Sequence, residues 1–428
     1  MNTGTLLRSA AVFFFTCALL VYHLITTPIP AGRDAVMFGA SADSSRRTIL
    51  RTDFASFYYA AKAMQAGSTM YSAKLLDSLA AADGVANHVL PYLYPPVVAL
   101  AAQPLTWLPP SLAQRLWDYL QVVSFGFIAV LVLLAVEGNI GGSSQRLTAL
   151  IAAVCILLLP FRANLDFGQI NFLVLLCLAI SFSFFARRAD FLAGAAIALA
   201  ALIKVTPAVV LVFFLVHKRW DAVRGFFLGL AACMLVSLIL GGVQPWLEFL
   251  HFLPNMGYAG NVAGGFHPSI IANFSLAGFF LRLFPGDAAS VRVATIASVL
   301  ILLAALLFTH LKYRSGRNEQ IFVLPYLVVM IVASPVAWLH HVVVLYPGIV
   351  FAVRHCLAMK GGREKLFALL LAVLTLLASL DYQPAYRALS IPEEVRPLLT
   401  SMNLIFLLLL FALSLLIVRH ERALLVTA

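Results

Sequence analysis

Apolar runs of helix-forming length recur along this chain from residue 6 to residue 418, and no long polar stretch separates them. Fourteen can be marked: 6–27, 92–108, 112–136, 148–161, 170–185, 191–203, 205–216, 226–240, 270–284, 291–311, 321–333, 342–353, 366–380 and 404–418. Runs of this kind belong in lipid as helices, because a helix satisfies its own backbone groups where no water can. Several fall short of the ~20 residues that a full crossing needs. Their ends must extend into the flanking residues, or they do not cross.

Basic clusters between the runs give the orientation. Arg187 with Arg188, then Lys218, Arg219 and Arg224, then Lys312, Arg314 and Arg317, then Arg354, Lys360, Arg363 and Lys365, and finally Arg419 and Arg422 mark cytoplasmic loops by the positive-inside rule. The loops keep one parity if 92–108 and 270–284 are re-entrant or interfacial, which leaves twelve crossings with both termini inside. With Arg8 and Arg146 added, sixteen of the 29 Lys and Arg lie inside with six acids, against thirteen and twelve elsewhere. The net charge of +11 is therefore a topology signal and not a nucleic-acid footprint. The expected fold is all-α and polytopic, one membrane domain over 1–428, and the first run is read as a retained helix because only a weak cleavage pattern follows it.

Composition agrees: 62% of the 428 residues are hydrophobic and 11% charged, where soluble domains carry roughly a quarter charged. The five cysteines, Cys17, Cys155, Cys177, Cys233 and Cys356, show no spacing for disulfides or metal and read as packing residues.

The longest segment between crossings, 28–91, is the place on the outer side where acids are available for chemistry. Its apolar positions Phe54, Phe57, Tyr58, Ala61 and Met64 have one-face spacing and predict an amphipathic helix starting at Asp53 and stopping at Gly67. A second helix is predicted over 72–83, with Leu75, Leu76 and Leu79 on one face. Both are expected to lie along the outer membrane surface.

The candidate chemistry is sparse, and each residue has a plain structural alternative. Asp53 reads equally as a helix N-cap and as a carboxylate able to take a proton from a sugar hydroxyl. Tyr94-Pro95-Pro96 reads first as the start of a helix. Asp166, Gln169 and Asn171 lie between two apolar runs, where polar groups cap helices or line a functional cavity; Gln169 and Asn171 suit sugar hydroxyls. Lys204 sits at an outer hairpin tip against the charge bias, which favours a phosphate partner over snorkelling. His340 and His341 follow Ser334-Pro335 and Trp338 without any HExxH or CxxC, so they suit phosphate or a carboxylate better than a metal. Asn273, Ser275 and Arg282 lie near the outer face, and Arg282 suits bidentate phosphate contact or interfacial anchoring.

In order, Asp53 with Phe57-Tyr58-Tyr59, Gly67 and Tyr71, then Tyr94-Pro95-Pro96, Gly168-Gln169-Ile170-Asn171, Lys204 with Pro207, Asn273-Phe274-Ser275-Leu276 with Arg282, and Ser334-Pro335, Trp338 and His340-His341 resemble the polytopic glycosyltransferases of family 87, over most of the chain. The family has Gln where Phe274 stands. The resemblance implies a GT-C architecture of about twelve transmembrane helices in the inner (plasma) membrane, with the active site on the periplasmic side. It implies a polyprenyl-phosphate sugar donor, mannose foremost, and a lipid or glycan acceptor; no cofactor is expected, and with no carboxylate cluster such as DxD the sequence marks no metal site. Carried over by position, Asp53 is the base of an inverting displacement, Lys204, Arg282, His340 and His341 hold the phosphate, and Tyr58, Tyr94, Gln169, Asn171, Asn273 and Trp338 contact sugar or acceptor. The rival class is a lipid or sugar transporter, which predicts internal repeats that the sequence does not clearly carry.

Overall fold

The protein is described by a computed structural model over residues 3–26, 48–86, 88–137, 158–255, 268–313, 319–359, 361–389 and 391–427. Most of the run at 148–161, the stretch 28–47 of the outer loop, Cys155, and the topology markers Arg146, Arg314, Arg317 and Lys360 lie outside the described residues. Among the described residues every regular element is a helix, and the one extended pairing is an isolated bridge between Thr48 and Val85.

In chain order the α-helices are α1 (Thr3–Thr26), α2 (Thr52–Gln65), α3 (Ala73–Ala82), α4 (Pro96–Ala102), α5 (Pro110–Glu137), α6 (Leu159–Phe167), α7 (Asn171–Ala186), α8 (Asp190–Ile203), α9 (Val210–Val216) and α10 (Trp220–Gly241). They continue with α11 (Gln244–Phe252), α12 (Leu276–Leu283), α13 (Ala288–Tyr313), α14 (Val323–Val332), α15 (Tyr346–Ala358), α16 (Gly362–Ala378), the short α17 (Gln383–Ala388) and α18 (Arg396–Leu399), and α19 (Met402–Thr427). Among the described residues six helical stretches are long and apolar enough to cross a membrane: Ser9–Thr26, Pro110–Ala135, Trp220–Gly241, Ala288–Tyr313, Leu339–Ala358 and Met402–Glu421. Four shorter apolar ones, Asn171–Ala186, Asp190–Ile203, Thr206–Val216 and Glu319–Val332, stand beside them. The protein is thus an all-α polytopic membrane protein. The expected re-entrant segments hold the seven-residue α4, continued by the five-residue 3-10 turn Gln103–Trp107, and the eight-residue α12; at about 1.5 to 2 Å per residue neither spans the ~30 Å of a hydrocarbon core.

The largest buried cluster joins α5, α7, α14, α15 and α19, with Phe125, Phe172, Leu324 and Leu407 fully enclosed. Small residues let α8 and α10 touch backbone to backbone: a Cβ on Gly194 would collide with the carbonyl of Ala222, and one on Gly225 with that of Phe191. This is how helices pack tightly in lipid, where the hydrophobic effect supplies no drive between them.

The first outer-loop helix departs from its predicted role. Its extent is close to expectation, ending before Gly67 at φ +66°, but its burial is not confined to one face. Phe54, Phe57 and Tyr58 are buried as predicted, and so are Ala55, Ser56, Tyr59, Ala60 and Ala63 on the other sides. The small residues that look neutral in an amphipathic count admit neighbours closely, so α2 becomes a core helix against α4, α5 and α3. Nor is Asp53 the cap: Arg51 holds that position, and Asp53 is the second helical residue. The second loop helix follows the sequence, with Ser72 accepting from the Leu75 amide as its N-cap and Gly84 at φ +74° after it.

Two polar clamps fix the segments that form the site. In the first, the Arg51 amide donates to Gln114 Oε1 at 2.6 Å, its Nε donates to both Asp118 oxygens at 3.0 and 3.1 Å, and its Nη1 donates to the Asp166 carbonyl at 3.2 Å. Asp166 in turn meets His23 Nε2 at 2.8 Å, so α1, α2, α5 and α6 are tied together. Gly168, at φ +69°, closes α6, and a Cβ there would press on Phe54 and Arg51 at 2.9 and 3.0 Å. In the second clamp, Asn273 donates to the carbonyls of Pro268 and Pro335 and accepts from the amides of Ser275 and Ala337, while Ser275 Oγ also donates to Pro335. Phe274 contributes through its main chain, donating to the Ala337 carbonyl at 2.9 Å with its ring in the core. Loop 334–338 thereby has a fixed course.

The first clamp sets up a direct test. Arg51→Met strands the buried Asp118 carboxylate and should cost about 3–5 kcal/mol, and replacing both partners, Arg51→Met with Asp118→Leu, should recover most of it. Thermal unfolding of purified wild type, single and double variants in detergent reads this; a double variant no more stable than the single would contradict the pairing.

Candidate active site

One cavity of about 350 Å³ gathers residues from segments far apart in sequence. The start of α2 contributes Thr52 and Asp53, the approach to α4 contributes Tyr94, the α6–α7 turn contributes Gln169 and Asn171, and the residue after α8 is Lys204. Trp338, His340 and His341 come from the 3-10 stretch Leu339–Leu345 and its lead-in. Apolar side chains, among them Phe249, Leu253, Val336 and Val344, make up the rest of the wall.

Each polar member has a defined mooring. Lys204 ends α8 in extended conformation at φ −140°, which sends its Nζ to Asn171 Oδ1 at 2.7 Å and His341 Nε2 at 2.9 Å. Its Nζ also lies 5.6 Å from the Tyr94 ring centre, a distance at which the protonated form gains a cation–π contact. Burial pushes the Lys204 ammonium down to about 7, with the charge of Asp53 working in the opposite direction. Burial raises the Tyr94 phenol, and Asp53 adds to that shift; the carboxylate is thus close enough to act electrostatically on both. Tyr94 donates to Gln169 Oε1 at 3.1 Å. Asn171 Nδ2 donates to the His340 carbonyl at 3.2 Å. The two histidines differ. His341 Nδ1 accepts from the Trp338 amide at 2.9 Å, whereas the His340 ring stacks on Trp338 at 6.2 Å and no hydrogen bond to its nitrogens occurs among the described residues.

The arrangement thus brings eight of the eleven sequence-expected site residues to one cavity: Asp53, Tyr94, Gln169, Asn171, Lys204, Trp338, His340 and His341. Three are elsewhere. Arg282 spends its guanidinium on the carbonyls of Ile270 and Asn273 at 3.1 and 2.9 Å and on Ser401 Oγ at 2.8 Å, and burial lowers it to about 10. Asn273 is the centre of the second clamp, and Tyr58 donates to the Leu108 carbonyl at 2.8 Å. No group of three or more His, Cys, Asp or Glu that could hold a metal occurs among the described residues.

Sequence reasoning missed three contributors. Thr52 lines the cavity with a buried hydroxyl that has no hydrogen-bond partner; adjacency to Asp53 was its only signal. Helix α11, which supplies Phe249 and is followed by Leu253, lay outside every marked run, although Trp246, Phe249 and Leu253 have helical one-face spacing. The Arg51–Asp118 pair had a readable cue in a carboxylate set within the apolar run 112–136.

With this geometry in place, similarity to known proteins becomes informative. The sequence model of glycosyltransferase family 87 matches residues 92–335, more than half of the chain and short of both Asp53 and the histidine pair. A polyprenol-phosphate-mannose-dependent alpha-(1-2)-phosphatidylinositol pentamannoside mannosyltransferase of Mycobacterium tuberculosis is 30% identical over 268 residues, 62% of this chain and 59% of that protein. Its namesake in Mycolicibacterium smegmatis is 31% identical over 287 residues, 66% of each chain. A polyprenol-phosphate-mannose-dependent alpha-(1-2)-phosphatidylinositol mannoside mannosyltransferase of M. tuberculosis is 27% identical over 290 residues, 65% of each. The matched region spans a little under two thirds of the first two relatives' length. On the strength of the family match, the chain belongs to glycosyltransferase family 87.

Proposed function

We propose that this protein transfers a mannosyl group from a polyprenyl-phosphate donor to a hydroxyl of a lipid-linked glycan, at a site on the outer, periplasmic side of the inner membrane. The observation that carries the reading is the sharing of one cavity by Asp53 and Lys204, a carboxyl group and an amine that can take up a proton, enclosed by mostly apolar walls. Donor and acceptor are the classes that the names of the relatives specify.

The chemistry follows from that pairing. Asp53 accepts the proton of the acceptor hydroxyl as its oxygen attacks the anomeric carbon, and the bond to phosphate breaks on the opposite face, which inverts the centre. The departing phosphate gathers negative charge, and Lys204 with the His340–His341 pair stabilises it among walls that are mostly apolar. Tyr94, Gln169, Asn171 and Trp338 line the space left for the sugar, and the apolar wall from Phe249 and Leu253 suits the first prenyl units. Arg282, Asn273 and Tyr58 serve from behind the wall: the first two hold the loop that presents the histidines, and Tyr58 seats α2.

Asp53→Asn should lower kcat by about 10² or more while melting temperature and donor binding stay near wild type; full transfer by that variant would remove Asp53 from the mechanism. Arg282→Lys loses the planar fork that spans three acceptors, so it should lower the melting temperature and leave donor KM within about twofold. A roughly tenfold rise in donor KM at unchanged stability would instead place Arg282 on the phosphate.

A further inference from the structure

The hydrogen bonds around Lys204 constrain its proton count. The Trp338 amide can only donate, and it points at His341 Nδ1 at 2.9 Å, so that nitrogen carries no proton and a neutral His341 carries its proton on Nε2. Nε2 is the atom that faces Lys204 Nζ at 2.9 Å. An ammonium has three donors and no lone pair, so an N–H aimed at it would be donor against donor. An amine accepts from Nε2–H and still donates to Asn171 Oδ1 at 2.7 Å. Asn171 cannot turn its amide to relieve a conflict without losing a bond, because its Nδ2 is engaged with the His340 carbonyl.

From this network we propose that Lys204 stands in the empty site as a neutral amine held by His341 Nε2–H, and that arrival of the donor's phosphodiester anion brings one proton from solvent onto Lys204. The proposal rests on the donor class given above. On protonation the Lys204 lone pair becomes an N–H bond, and the His341 contact, now donor against donor, opens. His341 Nε2–H then turns to a phosphate oxygen, so one anion recruits two donors that had satisfied each other. The groups facing Lys204 are consistent with a proton balance near neutrality: Asp53 from α2 favours the charged form, the Tyr94 ring lies alongside, Asn171 accepts from α7, His340 and His341 close the side from the 3-10 stretch, and Phe249, Leu253 and Met330 wall the cavity with apolar surface that disfavours charge. The assignment also separates the two histidines, with His341 the direct partner of the anion.

The test is calorimetric titration of purified protein with a short-chain polyprenyl phosphomannose, a phosphodiester with no titrating group of its own in the range used. Titrations run in HEPES and in Tris at about pH 8, and in acetate and in MES at about pH 5.5, each pair differing in ionisation enthalpy and the two pH values lying on either side of a balance near neutrality. The expected result is uptake approaching one proton per site at the higher pH and little at the lower. Lys204→Arg, charged at both, should bind with no uptake at either. Binding by wild type at the higher pH without proton uptake overturns the proposal and leaves the donor assignment intact, and so does undiminished uptake by the arginine variant. No binding at either pH overturns the donor assignment, and this proposal with it.

Discussion

An ionisable side chain inside a hydrophobic bundle is stable only where something compensates it, and that requirement organises this protein around Asp53 and Lys204. Desolvation disfavours a lone buried charge by several kcal/mol, so such residues line cavities, pair, or serve function. Lys204 is bonded to Asn171 and His341 and feels the field of Asp53. The carboxylate sits in the first turn of α2, where the helix dipole favours negative charge. A chain that is 11% charged gathers two ionisable groups of opposite type at one cavity, an arrangement that suits the chemistry proposed above.

Holding that arrangement is the work of residues that never face the cavity. Arg51 sits two positions before Asp53, and its bonds to Gln114, Asp118 and Asp166 fix the start of α2 against α5 and α6. The Asn273–Arg282 clamp does the same for loop 334–338, which precedes His340 and His341. Each clamp centres on a buried, multiply bonded group, Arg51 in one and Asn273 in the other, where a missing partner leaves polar atoms that neither lipid nor protein can satisfy. The site is thus assembled from pieces locked separately to the bundle, and its precision rests on hydrogen bonds and not on the apolar packing around it.

Much of this was legible in the sequence, and the failures have physical causes. Long apolar runs and the basic clusters gave the helical class, and Gly67, Gly84 and Pro96 marked helix ends where they occur. Polar residues at the ends of apolar runs pointed to Gln169, Asn171 and Lys204, because such residues have few reasons to be there, and the start of the loop helix pointed to Asp53; all four line the cavity. Which polar residues would face the cavity and which would brace it was not legible: Arg282 and Lys204 look alike in sequence, and only the carbonyls of Ile270 and Asn273 around Arg282 separate them. The burial of α2 was hidden for a related reason, since Ala and Ser carry no sign of whether a neighbour fills the space they leave. Composition cannot report a partner that arrives from another part of the chain.

The central claim is that the cation at 204 and the carboxylate at 53 flank one reacting bond. A cryo-EM structure of the Asp53→Asn protein bound to a polyprenyl phosphomannose donor tests it most directly. The account predicts the phosphate at hydrogen-bond distance, about 3 Å, from Lys204 Nζ, with residue 53 on the opposite face of the anomeric carbon. Phosphate density away from Lys204, or residue 53 turned to bulk solvent, would contradict it.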